Sequence, residues 1–501
     1  MEALFANLAL GFSVAFQPEA LMYCLIGCLL GTLIGVLPGI GPVATIAMLL
    51  PVTFGLQAEY ALIMLAGIYY GAQYGGSTTA ILVNIPGESS SVVTALDGYQ
   101  MARQGRAGAA LGIAALGSFF AGCVATVLLV VAAPPLATIA FKFGPWEYFS
   151  LMTLGLIAAV VLAHGSVVKA IAMIFLGVLL GMVGTDVGTG MARFNFELQE
   201  LSDGISFVAV AMGVFGFAEI IKNLEQGESR EIFVNKVGSL LPTWQDIKQA
   251  FPAVLRGTGL GSLLGILPGG GAVLASFSAY TLEKKLARDA SRFGKGDIRG
   301  VAAPEAANNA AAQTSFIPLL TLGIPPNPVM ALMVGAMIIQ GIQPGPQVMT
   351  EKPQLFWGMI ASMWAGNLML VILNLPLIGI WIKLLTVPYR LLYPAILVFC
   401  CIGVYSLSNS PFDVVITACF GFLGYLFVKL DCEPAPLLLG FILGPMMEEN
   451  LVRAMKLGRG DATLFFTRPL SASLLAVALL LLIIIALPQI RKKREEAFVE
   501  E

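Results

Sequence analysis

Gly31-Thr-Leu-Ile-Gly-Val-Leu-Pro-Gly-Ile-Gly41 and Gly261-Ser-Leu-Leu-Gly-Ile-Leu-Pro-Gly-Gly-Gly271 stand at an offset of 230 residues and match at seven of eleven positions. The glycines extend upstream at the same offset, Gly27, Gly31, Gly35 and Gly39 against Gly257, Gly261, Gly265 and Gly269. A glycine every fourth residue lines one face of a helix and lets a neighbouring helix approach closely. Pro-Gly then ends each run, because proline and glycine cannot continue a smooth helix. Further echoes keep the same order: Ile85-Pro86 and Ile324-Pro325, Ala121-Gly122 and Ala365-Gly366, Pro135-Leu136 and Pro376-Leu377, Gly177 and Gly421. The series reads as an internal duplication with one broken helix in each copy.

The composition of the whole 501-residue chain sets the medium in which those helices sit. Apolar residues make up 57% and charged residues only 12%, against about 25% charged in soluble domains. With a mean hydropathy of +0.86, this excludes a soluble globular protein and a disordered one. Runs such as Leu21–Leu37, Ala107–Val131, Ile205–Ile221 and Met359–Ile382 are too long and too uniformly apolar for barrel strands, which alternate. Helices are what remains. The expected fold is an all-α polytopic membrane protein, with roughly 10–14 spans at about 20 residues each and broken or re-entrant helices in two inverted repeats.

The expected segments are 1–19, an N-terminal interfacial stretch; 20–221, the first repeat; 222–250, an aqueous linker; 251–468, the second repeat; 469–490, a last transmembrane helix; and 491–501, a charged cytoplasmic tail. Charge suggests the inversion. No Lys or Arg precedes Arg103, so the loop around Glu59 has none, whereas Glu283–Arg299 carries six. Basic loops favour the cytoplasm, so corresponding loops fall on opposite sides, as in secondary transporters. One conflict stands. Arg453, Lys456, Arg459 and Arg468 precede the last span and Arg491–Arg494 follow it. The C-terminal cluster, which abuts a clean apolar run, sets the expected cytoplasmic C-terminus.

Several chemistries are disfavoured. A net charge of −2 disfavours nucleic acid as a partner. The single histidine, His164, argues against a histidine metal site and against most histidine-assisted nucleophilic catalysis, and reads as a polar helix-end cap. The seven cysteines, Cys24, Cys28, Cys123, Cys400, Cys401, Cys419 and Cys432, show no metal spacing and read as small buried side chains. The N-terminus lacks the basic start of a cleaved signal peptide. No resident cofactor or bound metal is expected.

Candidate binding residues lie where polar side chains interrupt apolar sequence. Gly39, Gly41, Gly269 and Gly271 would offer backbone N–H groups at broken helix ends, which suit anions. Their alternative is a pair of tight turns at the membrane surface. Ser77, Thr78, Asn84, Asn308, Asn309, Thr314 and Ser315 would hold carboxylate oxygens, or else bond between helices or cap their ends. Glu88 and Glu305 are candidate cation or proton sites, since an intramembrane acid is a functional candidate. Asp97 reads as a surface acid because Arg103 follows it, and Arg256 and Lys383 read as snorkelling side chains.

Together these stretches resemble a known family. Gly31–Gly55, Tyr69–Ser77, Asn84–Gly87, Gly184–Asp186 with Arg193-Phe194, Glu305–Asn309, Leu322–Pro325, Gly341–Pro346 and Leu443–Glu448 are similar to the large membrane subunit of tripartite tricarboxylate transporters, the TctA-type proteins, over roughly residues 20 to 470. The resemblance implies a multi-pass permease of a bacterial inner membrane. It implies a small TctB-type membrane subunit and a periplasmic TctC-type solute-binding protein as partners. A citrate-like tricarboxylate or related organic acid would be imported by alternating access, driven by a sodium or proton gradient. No GxxxxGK[ST] nucleotide motif occurs, in keeping with that. An organic-anion channel and a membrane-embedded enzyme are the alternatives; the enzyme lacks a convincing catalytic pair.

Overall fold

A computed structural model describes residues 2–37, 40–84, 86–162, 166–186, 189–226, 240–267, 271–385 and 389–486. The chain is helical almost throughout. Its first half runs α1 (Glu2–Ala15), α2 (Pro18–Gly35), α3 (Pro42–Leu49), α4 (Ala58–Val83), α5 (Val92–Arg103), α6 (Ala107–Ala140), α7 (Pro145–Leu162), α8 (Val167–Gly181), α9 (Phe207–Ala211) and α10 (Ala218–Gln226). Its second half runs α11 (Trp244–Ile266), α12 (Gly271–Leu286), α13 (Arg299–Thr314), α14 (Phe316–Leu322), α15 (Pro328–Ile339), α16 (Gln347–Glu351), α17 (Pro353–Asn374), α18 (Ile378–Leu385), α19 (Tyr389–Ser408), α20 (Pro411–Lys429), α21 (Ala435–Leu457), α22 (Leu464–Thr467) and α23 (Pro469–Ala486). Among the described residues the β structure is one antiparallel pair, Gly184–Thr185 with Ala192–Arg193. A π-helical turn, Met212–Phe217, joins α9 to α10.

Six helical stretches among the described residues are long and apolar enough to cross a membrane: α2, α6, the stretch Phe207–Glu225, α17, α20 and α21. Seven shorter apolar helices accompany them. Large apolar side chains on the outside, such as Phe175, Phe399 and Leu480, face what must be lipid, since water would not tolerate so many. The protein is therefore an all-α, multi-pass membrane protein.

The core is built on two helices, α4 and α13. Every residue of α4 from Ala61 to Val83 is buried, as is α13 from Gly300 to Thr314. The glycine rows make this burial compact. A Cβ on Gly27, Gly31 or Gly35 of α2 would overlap the backbone of Met64, Ile68 or Ala72 on α4. A Cβ on Gly257, Gly261 or Gly265 of α11 would overlap Ala303, Ala307 or Ala311 on α13. α6 then packs on α13, and α17 packs on α4. At the far end Gly177 of α8 meets Leu437 of α21, while Gly424 of α20 meets Val214 of the π-turn.

The expected breaks occur. α2 stops at Gly35 and α3 begins at Pro42, with Gly41 as its N-cap. α11 stops at Ile266 and α12 begins at Gly271. Gly39 and Gly269 themselves, His164 and the tail 491–501 lie outside the described residues. The N-terminal stretch forms α1, which packs along α17 with Gly11 against the backbone of Trp357. Of the aqueous linker, 222–226 continues α10 and 244–250 opens α11, whose start carries a capping box between Thr243 and Asp246.

Candidate functional site

The two buried helices carry most of the polar residues singled out above, and a break beside each supplies the rest. α4 ends at Asn84 and α14 at Gly323, both left-handed, at φ 58° and φ 73°. Pro86 and Pro325 follow, as proline commonly does after such an end. The chain then turns to Glu88 and to Asn327, which occupy the same position, each the N-cap of the next short helix in extended backbone. Gly41 lies against Glu88 and Gly271 against Asn327; a Cβ on each glycine would come within 3.8 Å and 3.6 Å of the partner's Cβ. Gly271 adopts φ +51°, which suits glycine.

Glu305 of α13 is the centre of the first polar group. It is 1% exposed. Ser77 of α4 lies 2.7 Å from its Oε2, and the Thr94 hydroxyl of α5 donates to Oε1 at 2.6 Å. Asn309 Nδ2 donates to Ser118 Oγ of α6 at 2.7 Å and to the Glu305 carbonyl at 3.2 Å. A pocket of about 10 Å³, the scale of one water, opens beside this group and is lined by Tyr74, Ser77, Thr78, Ser118, Glu305 and Asn374.

Glu88 anchors the second group. Asn308 Nδ2, one residue from Asn309, donates to Glu88 Oε1 at 2.9 Å. Among the described residues, the buried Asn308 Oδ1 and Asn327 Nδ2 have no hydrogen-bond partner. Buried amides are almost always hydrogen-bonded, so these two, on α13 and at the second break, are ligand-facing candidates.

Other predicted residues sit differently. Thr78, Thr314 and Ser315 donate to their own helix backbone, at Tyr74, Ala310 and Ala312. A Cβ on Gly265 would strike the Thr314 hydroxyl, so Thr314 faces α11. Asn84 is exposed at the end of α4. Thr94, Ser118 and Gln73 were not singled out by the sequence. Their one signal is polarity on largely apolar helices, which many back-bonded hydroxyls share.

One expectation is corrected. Asp97 is not a surface acid: it is 0% exposed and accepts from the Tyr280 hydroxyl at 2.9 Å and from the backbone N–H groups of Gly294, Gly296 and Asp297. The basic segment 287–298 folds down on it. Arg256 is 40% exposed, and its guanidinium also grips both oxygens of the buried Glu283. Burial pushes the Asp297 carboxyl up, but hydrogen bonds from Arg299 outweigh it and hold it below the ordinary aspartate range. Among the described residues, no group of His, Cys, Asp and Glu could hold a metal ion.

Comparison with known proteins adds the following. The model of the tripartite tricarboxylate transporter TctA family matches residues 21–439. The chain is 62% identical over 501 residues, 100% of both chains, to the "Uncharacterized 52.8 kDa protein in TAR-I ttuC' 3'region" of Agrobacterium vitis. It is 64% identical over 241 residues, 48% of this chain and 100% of the other, to the "Uncharacterized protein in TAR-II ttuC' 3'region" of the same organism. No solved structure matches.

Proposed function

The chain belongs to the tripartite tricarboxylate transporter TctA family, and from that premise we propose that it is the permease through which a citrate-like tricarboxylate or related organic acid is imported. A periplasmic binding protein delivers the acid, a small membrane subunit completes the complex, and a sodium or proton gradient drives uptake. Two inverted repeats, 20–221 and 251–468, carry the site between them. The membrane is the bacterial inner membrane, with the C-terminus cytoplasmic.

The observation that carries this reading is the pairing of Glu88 with Asn308 and of Glu305 with Ser77, each between a residue of the first half and one of the second. Beside them lie buried amide atoms of Asn308 and Asn327 that have no partner among the described residues. Neutral donors and acceptors of this kind suit carboxylates and a cation without burying an unpaired charge. Helix breaks at Gly41 and Gly271 bring backbone to the same place, as at transporter sites.

Uptake of labelled citrate into proteoliposomes holding the chain and its small partner tests the proposal. The binding protein is added outside, and sodium and proton gradients are imposed in turn. Accumulation that needs the binding protein and one gradient is the expected result. If correctly inserted Asn308→Ala and Ser77→Ala variants both transport normally, the assigned site is wrong.

A further inference from the structure

Among the described residues seven carboxylates are buried: Glu88, Asp97, Glu147, Asp246, Glu283, Asp297 and Glu305. Four have a cation, supplied by Arg468, Arg106, Arg256 and Arg299. Asp97 has three backbone N–H groups and a tyrosine hydroxyl. Glu88 has the Asn308 amide. Glu305 meets only two hydroxyls, those of Ser77 and Thr94, and among the described residues no cation lies within ion-pairing distance.

Further out, the packed helices also carry Arg103 at the end of α5 and Lys284 and Lys285 at the end of α12, none of them within ion-pairing distance of Glu305. Tyr74 of α4 and Glu88 face it. On α5, Asp97 is already saturated; Arg256 of α11 and Glu283 of α12 neutralise each other. α6 and α14 carry no charged residue. A buried carboxylate in such surroundings is costly and neutralises itself instead.

Counting hydrogens leads to the same place. Ser77 Oγ lies 2.7 Å from Glu305 Oε2 and 3.0 Å from the carbonyl of Gln73. A serine hydroxyl has one proton to donate, so it cannot serve both acceptors. It can serve both bonds if it donates to Gln73 and accepts from Glu305. Thr94 gives its single proton to Oε1, which is then the carbonyl oxygen of a carboxylic acid.

We propose that Glu305 is a proton-binding site, held in this closed conformation as a neutral acid whose Oε2–H donates to Ser77, and that this proton is the one exchanged across the membrane in each cycle. The second clause rests on the permease reading; the first does not. The proton joins Oε2 from water when α4 and α5 part from α13 toward the outside. It leaves as hydronium when they part toward the inside. No other bond or electron changes.

Infrared difference spectroscopy of the purified chain at neutral pH tests the first clause without any substrate. The expected result is a carbonyl stretch of a neutral carboxyl group that is lost in Glu305→Gln and kept in Glu88→Gln. Thr94→Val, which removes the donor to Oε1, should move the same band to higher frequency, and it serves if the Glu305 variant does not fold. No such band in the wild type, or a band that neither Glu305→Gln nor Thr94→Val changes, overturns the proposal. In proteoliposomes with the binding protein, a proton gradient should drive accumulation, and Glu305→Gln should lose at least tenfold of that response. Accumulation driven by sodium alone, with no proton movement, overturns the exchange. Failure to transport any acid removes the permease reading, while the spectrum still decides whether Glu305 holds a proton.

Discussion

Asn308 and Asn309 are neighbours in sequence and serve different polar groups. Asn308 reaches Glu88 on the break after α4, while Asn309 reaches Ser118 and the backbone of Glu305. Successive residues on a helix point about a quarter-turn or more apart, so one turn of α13 braces both polar groups. Removing the Asn308 amide leaves Glu88 without the donor it has here. Leaving a buried acceptor without its donor costs about 1–3 kcal/mol, so Asn308→Ala should lower uptake roughly five- to hundredfold, with insertion and elution on size exclusion unchanged. Wild-type rates in that variant would show that the pair does not matter. Ser77, Glu88, Glu305, Asn308 and Asn309 were legible as polar residues in apolar sequence. Thr94 and Ser118 were not, because only the folded chain shows that these hydroxyls face α13. Asp97 was misread because its partners lie about two hundred residues away, in a segment that looks aqueous.

Between elements, the glycine rows decide how close α2 and α11 come to the buried helices. Gly261 lies against the backbone of Ala307, whereas a Cβ on Gly259 of the same helix meets nothing within 4 Å. Gly261→Ala should therefore destabilise the protein by about 1–3 kcal/mol through overpacking. Gly259→Ala should be neutral or stabilise it by up to about 1 kcal/mol, since alanine favours helix. Thermal unfolding of the two variants in detergent checks this, and equal effects would remove the contact argument. The α12–α13 connection makes a second case. Asp97→Ala leaves three backbone N–H groups without their acceptor, at about 1–3 kcal/mol for each that stays buried. Limited proteolysis should then cut within 287–298 in the variant and spare the wild type; equal resistance would mean that other contacts hold the segment.

Across the whole molecule, the late helices are tied back to the first half. α8 packs on α21 and α20 on the α9–α10 stretch, so neither half buries its helices alone. Arg193 holds Glu448 with two hydrogen bonds, and Arg468 before α23 holds the buried Glu147 of α7. Truncating one partner of such a pair strands the other charge, at roughly 3–5 kcal/mol. Arg468→Ala should markedly lower the unfolding temperature, and Arg468→Ala with Glu147→Leu should recover part of the loss. A double variant less stable than Arg468→Ala alone would show that the pair contributes beyond cancelling its own charge.

Composition alone determined that this chain lives in a membrane as helices, because no other arrangement hides so much apolar backbone. The Gly-Pro motifs determined where two of those helices must stop, because proline and glycine act locally on φ and on the missing N–H. What the motifs could not determine was which helix lies against which, and so which polar residues meet. Glu305 acquires its character from Ser77 and Thr94, more than two hundred residues away in sequence. Burial and hydrogen bonding are properties of the neighbours a fold supplies, and only the packing of α4, α5 and α6 around α13 decides them.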